Sequence, residues 1–163
     1  MKSSNENSDF LSKALAEMNK SSPDVAVATS HLRMAIENGS AEAAYALATW
    51  YLHGKEPIIK KSRKKAIELL REASECGVAS ANFDLAVCYE IGHGLRKSEK
   101  KAFIHYLRAA LLGDKDAAES IGRMYYHGIG VKRDRALAKV WLEEADRRRG
   151  ARGSGDTSSG DDT

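Results

Sequence analysis

Small, large and aromatic residues return at steps of four along this chain. Ala43, Leu47 and Tyr51 lead to Gly54; Ala81, Leu85 and Tyr89 lead to Gly92; Ala117, Ile121 and Tyr125 lead to Gly128. Steps of four place each trio on one helical stripe. A second series alternates with the first: Ala66, Leu70, Ala73, then Ala102, Tyr106, Ala109, then Ala138, Leu142, Ala145. Its leading alanines are 36 residues apart. An earlier half-copy reads Ala28, Ala35, Gly39. The pattern predicts pairs of amphipathic helices, with alanine where backbones approach and leucine or tyrosine in the wider gaps. No single helix can bury such a stripe, so the units must stack.

Polar residues punctuate the same register. Asp24, Ser62, Ser98 and Asp134 each stand four residues before a leading alanine of the second series. Their side chains suit helix N-caps, accepting from free first-turn amides. Gly54, Gly92 and Gly128 suit the ends of the first helices. Residues 8–20, SDFLSKALAEMNK, read as a degenerate helix, with Leu11 and Leu15 in the Leu and Tyr positions. The expected layout is a disordered stretch 1–7, a helical repeat domain 8–149 and a Gly/Ser/Asp-rich disordered tail 150–163. Within the domain, 8–39 is a degenerate capping pair, and the repeats cover 40–77, 78–113 and 114–149.

Composition narrows the class. The 163 residues are 42% hydrophobic and 30% charged, which fits one packed domain. The net charge of +3 is too small to imply nucleic-acid binding by itself. Two cysteines exclude a disulfide framework. Cys76 and Cys88 would lie roughly 15 Å apart along helices, so both are expected as reduced, partly buried thiols. No apolar run approaches the ~20 residues of a membrane span, and the amino terminus lacks the apolar centre of a secretory signal. A cytoplasmic protein, without membrane contact and monomeric, is the expectation.

Candidate chemistry is sparse. The five histidines form no HExxH pair. Glu90 and His93 have a possible metal spacing, but His93 falls in a glycine turn. Gly92-His93-Gly94 and Gly128-Ile129-Gly130 follow helices and lack the lysine of a phosphate loop. Lys60, Lys61, Arg63, Lys64 and Lys65 have no aromatic residues interleaved, so nucleic acid is not an expected partner. Arg147, Arg148 and Arg149 suit the negative end of a helix dipole. No catalytic residue, metal site or cofactor is expected, and the chain reads as a non-enzyme.

The run Ala81-Asn-Phe-Asp-Leu85-Ala-Val-Cys-Tyr89-Glu-Ile-Gly92, the two Gly-x-Gly turns, and Val131, Asp134, Ala138, Trp141 and Ala145 together resemble the Sel1-like repeat family, relatives of the tetratricopeptide repeats. The resemblance implies an all-α superhelix, or solenoid, of about three full helix pairs after an N-terminal degenerate pair. It departs at Gly54-Lys55-Glu56-Pro57, a turn two residues longer that lacks the second glycine. Leu69 and His105 stand where Trp141 carries the family aromatic. Similarity to tetratricopeptide repeats implies that the first helix of each pair lines a concave groove. The groove residues would be Tyr45, Thr49 and His53, then Phe83, Val87, Glu90 and Ile91, then Arg123, Tyr126 and His127. Tyr45, Phe83, Val87 and Ile91 would form an apolar strip, and Arg123 could pair with a partner's carboxylate. Tyr45 and Phe83 fit the groove or the core equally, while Trp50 and Trp141 read as packing residues. The implied function is an adaptor or scaffold that binds a protein or extended peptide through this face. Alternatives are an immunity protein neutralising a bacterial toxin, a metal-dependent hydrolase, and nucleic-acid binding through the lysine cluster.

Overall fold

In the computed structural model, which describes residues 4–55 and 58–150, the stripes become eight helices. They are α1 Ser4–Met18, α2 Val25–Glu37, α3 Ala41–His53, α4 Arg63–Glu75, α5 Ala79–Ile91, α6 Glu99–Leu111, α7 Ala117–His127 and α8 Arg135–Gly150. All four expected caps form. Asp24 accepts from the amides of Ala26 and Val27, Ser62 from Lys65, Ser98 from Lys101, and Asp134 from Ala136 and Leu137. Gly92 and Gly128 take the left-handed conformation at the ends of α5 and α7.

The helices pack as α1–α2, α3–α4, α5–α6 and α7–α8, and each pair stacks on the next. Ala43, Ala66, Ala81, Ala102, Ala117 and Ala138 are at most 1% exposed, so no larger side chain fits at these crossings. Leu47, Leu70, Leu85, Tyr106 and Ile121 fill the buried layer between them. Among the described residues no strand forms, and the chain is an all-α solenoid.

The second glycine of each Gly-x-Gly turn has a steric purpose. A Cβ on Gly94 would stand 3.1 Å from Cβ of Arg63, at the start of α4. On Gly130 it would stand 2.2 Å from the carbonyl oxygen of Glu99, at the start of α6. Each turn therefore seats on the second helix of the preceding pair. The longer first turn solves the problem differently. Lys55 and Ile59 exchange backbone hydrogen bonds of 2.8 and 2.9 Å, and the Ile59 side chain is buried in the amino-terminal core.

Three expectations change. Leu15 is 49% exposed, and Ala14 is buried in its place, with Phe10 and Leu11 against the core. α1 crosses α2 through a small residue, so the aromatic position of the other copies has no counterpart here. Helix α1 also begins at Ser4, inside the stretch 1–7 expected to be disordered. Cys76 is exposed rather than partly buried, since it stands at the C-cap of α4, while Cys88 is buried and both are free. The expected disordered tail lies outside the described residues apart from Gly150, the last residue of α8.

Candidate functional site

The first helices α3, α5 and α7 meet along one face. Tyr45 of α3 stands beside Asp84 of α5, close enough for each to shift the other's ionisation. Arg123 of α7 donates to Glu90 of α5 at 2.7 Å. These neighbours link α3 to α5 and α5 to α7, and bring Tyr45, Glu90 and Arg123 of the expected set to one surface. Ile91 and Tyr126 are the most open large side chains among them, at 63% and 44% exposed. His53 and His127 are exposed too, and Val87 is half-buried. The Tyr126 ring meets His127 edge-on at 4.9 Å. Thr49 turns its hydroxyl back to the Ala46 carbonyl at 2.7 Å, satisfying itself within α3.

Tyr45 and Phe83 serve both surfaces. Each is half-buried. Phe83 packs edge-on against Tyr106 at 5.3 Å while its other side opens to the face. Trp50 and Trp141 are packing residues, each half-buried against a core cluster.

Two depressions flank α5. One, about 260 Å³, lies toward α3 and is lined by Leu52, His53, Asp84, Val87 and Ile91, with His93 at its end. The other, about 540 Å³, lies toward α7 and holds Phe83, Asp116, Glu119, Arg123, Tyr126 and His127. Arg123 was expected to await a partner's carboxylate. Instead Glu90 neutralises it from the neighbouring helix, and the same carboxylate accepts from the Tyr106 hydroxyl at 2.9 Å.

Asp84 is the residue the sequence pattern missed. Burial pushes its carboxyl above the usual range, and the nearby Asp114 pushes the same way. The Tyr45 hydrogen bond and His53 pull it back. The Tyr45 phenol is also raised, by burial first and then by Asp84. One sequence signal pointed to Asp84: the matching positions of the other copies are the small residues Ala46 and Ser120.

The lysine cluster is used locally. Lys65 sits over the Tyr51 ring at 5.3 Å, and Arg63 donates to His93 at 2.8 Å. Among the described residues, no group of three or more His, Cys, Asp or Glu side chains is arranged to hold a metal ion. No helix among them is long and apolar enough to cross a membrane.

The profile of the Sel1 repeat matches residues 41–78, 79–114 and 115–145, and so covers the helix pairs that build this face. The chain belongs to the Sel1 repeat family. Sel1 repeat proteins generally mediate protein–protein interaction. The repeats are 30% identical over 98 residues to the chitin synthase regulator SKT5 of Saccharomyces cerevisiae, covering 60% of this chain and 14% of that protein. They are 31% identical over 105 residues to the DAP3-binding cell death enhancer 1 of Mus musculus, covering 64% and 20%. The chain thus spans a fifth or less of these curated relatives. Among solved structures, a protective antigen of uropathogenic Escherichia coli displaying an SLR fold superposes with a TM-score of 0.81 at 25% identity, over 87% of this chain and 30% of that one. A Sel1 repeat protein from Oxalobacter formigenes gives 0.76 at 24% identity, over 86% and 56%. Both likenesses agree with the Sel1 solenoid described above.

Proposed function

We propose that this Sel1 repeat chain is a non-enzymatic adaptor or scaffold module that binds a protein or extended peptide along the face of α3, α5 and α7. The observation that carries it is the pair of depressions flanking α5, rimmed by the exposed Ile91 and Tyr126 on packed helices. Side chains held on stacked helices lose little freedom on binding, so contact energy is kept as affinity. Aromatic and arginine side chains anchor such interfaces, and Phe83, Tyr126 and the neutralised Arg123 stand together in the larger depression. The repeat domain, residues 8–149, is the binding unit in this reading.

The test is a double variant, Ile91→Arg with Tyr126→Ala, beside an outer control, Lys139→Glu on α8. Both should keep the wild-type helical circular dichroism. A partner recovered by affinity purification should bind the groove variant at least ~2 kcal/mol more weakly and the outer variant unchanged. Retention by the groove variant, with loss in the outer one, would place the interface on the other side of the solenoid.

A further inference from the structure

Asp84 breaks the rule of its own repeat. The position is Ala46 in the first copy and Ser120 in the third, where a small residue fits beside the next helix. The middle copy places a carboxylate there. That carboxylate is half-buried, Tyr45, Asp114 and His53 are the groups acting on it, and no lysine or arginine is among them. The Tyr45 hydroxyl supplies a polar partner but no counter-charge, and desolvating an anion without a cation costs free energy. It lines a depression of about 260 Å³ whose walls are Leu52, Val87 and Ile91.

The charge of the whole face has the same sign. Helices α3, α5 and α7 carry Glu42, Asp84, Glu90 and Glu119, against Arg123 as their one arginine or lysine. Arg123 is already held by Glu90, and Glu119 is held by Arg149 of α8, so Glu42 and Asp84 are the acids of the face outside these pairs. The chain as a whole is net positive, by +3, and most of its lysines and arginines lie on α4, α6, α8 and the turns before them. The acidic face is therefore a segregation of charge within a basic chain.

From this juxtaposition of a half-buried carboxylate, aliphatic walls and a negative face, we propose that the depression between α3 and α5 receives a lysine or arginine side chain of the partner. The bound segment is one that sets a basic residue among aliphatic ones. This rests on the reading of the α3, α5 and α7 face as the binding surface. Lysine and arginine are amphipathic: the stem lies along apolar walls while the charged head reaches a carboxylate. Leu52, Val87 and Ile91 match the stem and Asp84 the head. An apolar side chain in the same place would seal the carboxylate without a counter-ion, and an acidic one would meet Asp84 and Asp114 as like charges. His93 closes the depression with a ring nitrogen already occupied by Arg63.

The experiment is selection of random peptides, displayed on phage, against the immobilised full chain. Enriched peptides are then synthesised with a fluorophore and titrated against wild type, Asp84→Ser, Asp84→Asn and Ile91→Arg. Serine is what the third copy carries at this position, so Asp84→Ser is compatible with the repeat, and its thermal midpoint should equal or exceed that of wild type. The expected result is enrichment of lysine or arginine beside aliphatic residues. Affinity should fall about tenfold or more in both Asp84 variants and be lost in Ile91→Arg. It should also weaken as salt is raised. Peptides that are lost in Ile91→Arg but are acidic or neutral, or are indifferent to Asp84, overturn this proposal and leave the binding face standing. Peptides indifferent to Ile91→Arg, or no enrichment at all, overturn both.

Discussion

Arg123 of α7 donates to Glu90 of α5 across 2.7 Å, and Glu90 takes the Tyr106 hydroxyl of α6 on its other oxygen. One carboxylate thus ties three helices. Burial, followed by the bond to Glu90, pushes the Tyr106 phenol far above its ordinary range, so the hydroxyl donates throughout the usable pH range. Glu90→Ala leaves the Tyr106 hydroxyl short of its acceptor, at a cost of about 1–3 kcal/mol. Glu90→Gln keeps an acceptor and should cost less than about 1 kcal/mol, because the Arg123 side chain is 41% exposed and its ion pair is screened. Urea midpoints of the two variants measure the difference.

The seat of the last turn makes a sharper test. A methyl group on Gly130 would fall 2.2 Å from the Glu99 carbonyl, and φ there is +66°. Gly113 has a φ of +95° with nothing within 4 Å. Gly113→Ala therefore meets only the left-handed backbone penalty, about 1–2 kcal/mol. Gly130→Ala must in addition push one backbone off another, and should cost about 3 kcal/mol or more. Equal melting temperatures for the two variants would show that the turn does not seat on α6.

His105 makes the fold sensitive to acid. Its Nδ1–H donates to Asn82 at 3.1 Å, and Asn82, 1% exposed, also accepts from Ser74. Burial is the main cause of a lowered His105 pKa, aided by Arg108, Arg71 and Lys101. A base with a depressed folded pKa contributes stability that is complete above its unfolded value of 6.5 and is lost as pH falls through the folded one. His105→Leu, the residue class at Leu69, removes this term. Between about pH 7.5 and pH 5, wild type should lose more stability than the variant. Parallel pH profiles from chemical denaturation would rule the effect out.

The two thiols should separate cleanly. Burial pushes the Cys88 thiol up to about 11, with Asp84 adding to it, while Cys76 is exposed. A thiol-disulfide reagent near pH 8 should titrate one thiol at once and the second only after denaturant is added, since reaction needs thiolate and access. Cys76→Ser should abolish the fast phase.

The sequence pattern was enough to place the stripes, the second-helix caps and the order of the pairs, because each is a local periodicity. Leu15 was misplaced for the same reason: three and four residues after Leu11 both return to its face of α1, and Ala14 rather than Leu15 is the one that is buried. The sequence offered the proposed site as a helix face but not as contacts. Tyr45, Phe83, Ile91 and Tyr126 follow from helical spacing once the family's inner face is assigned. The Glu90–Arg123 bond spans 33 residues and depends on how two pairs sit together, which no spacing rule gives. Asp84 could have been noticed by aligning the three copies and asking why one column holds Ala, Asp and Ser. The extra residues after Gly54 hid their path because Ile59 is buried by a tertiary contact rather than by a repeat position.

That first turn has a mechanical consequence. Where Gly94 and Gly130 bring backbone against the preceding pair, the turn at Ile58 and Ile59 leaves a depression of about 410 Å³ against Ala26, Thr29 and Arg33 of α2. The α1–α2 pair therefore meets the next one through side chains alone, Leu32 and Ala35 against Ala43 and Leu47 with Ile59 beside them. Amide exchange should open α1 and α2 ahead of the remaining helices, with the three pairs that carry the proposed binding face still closed.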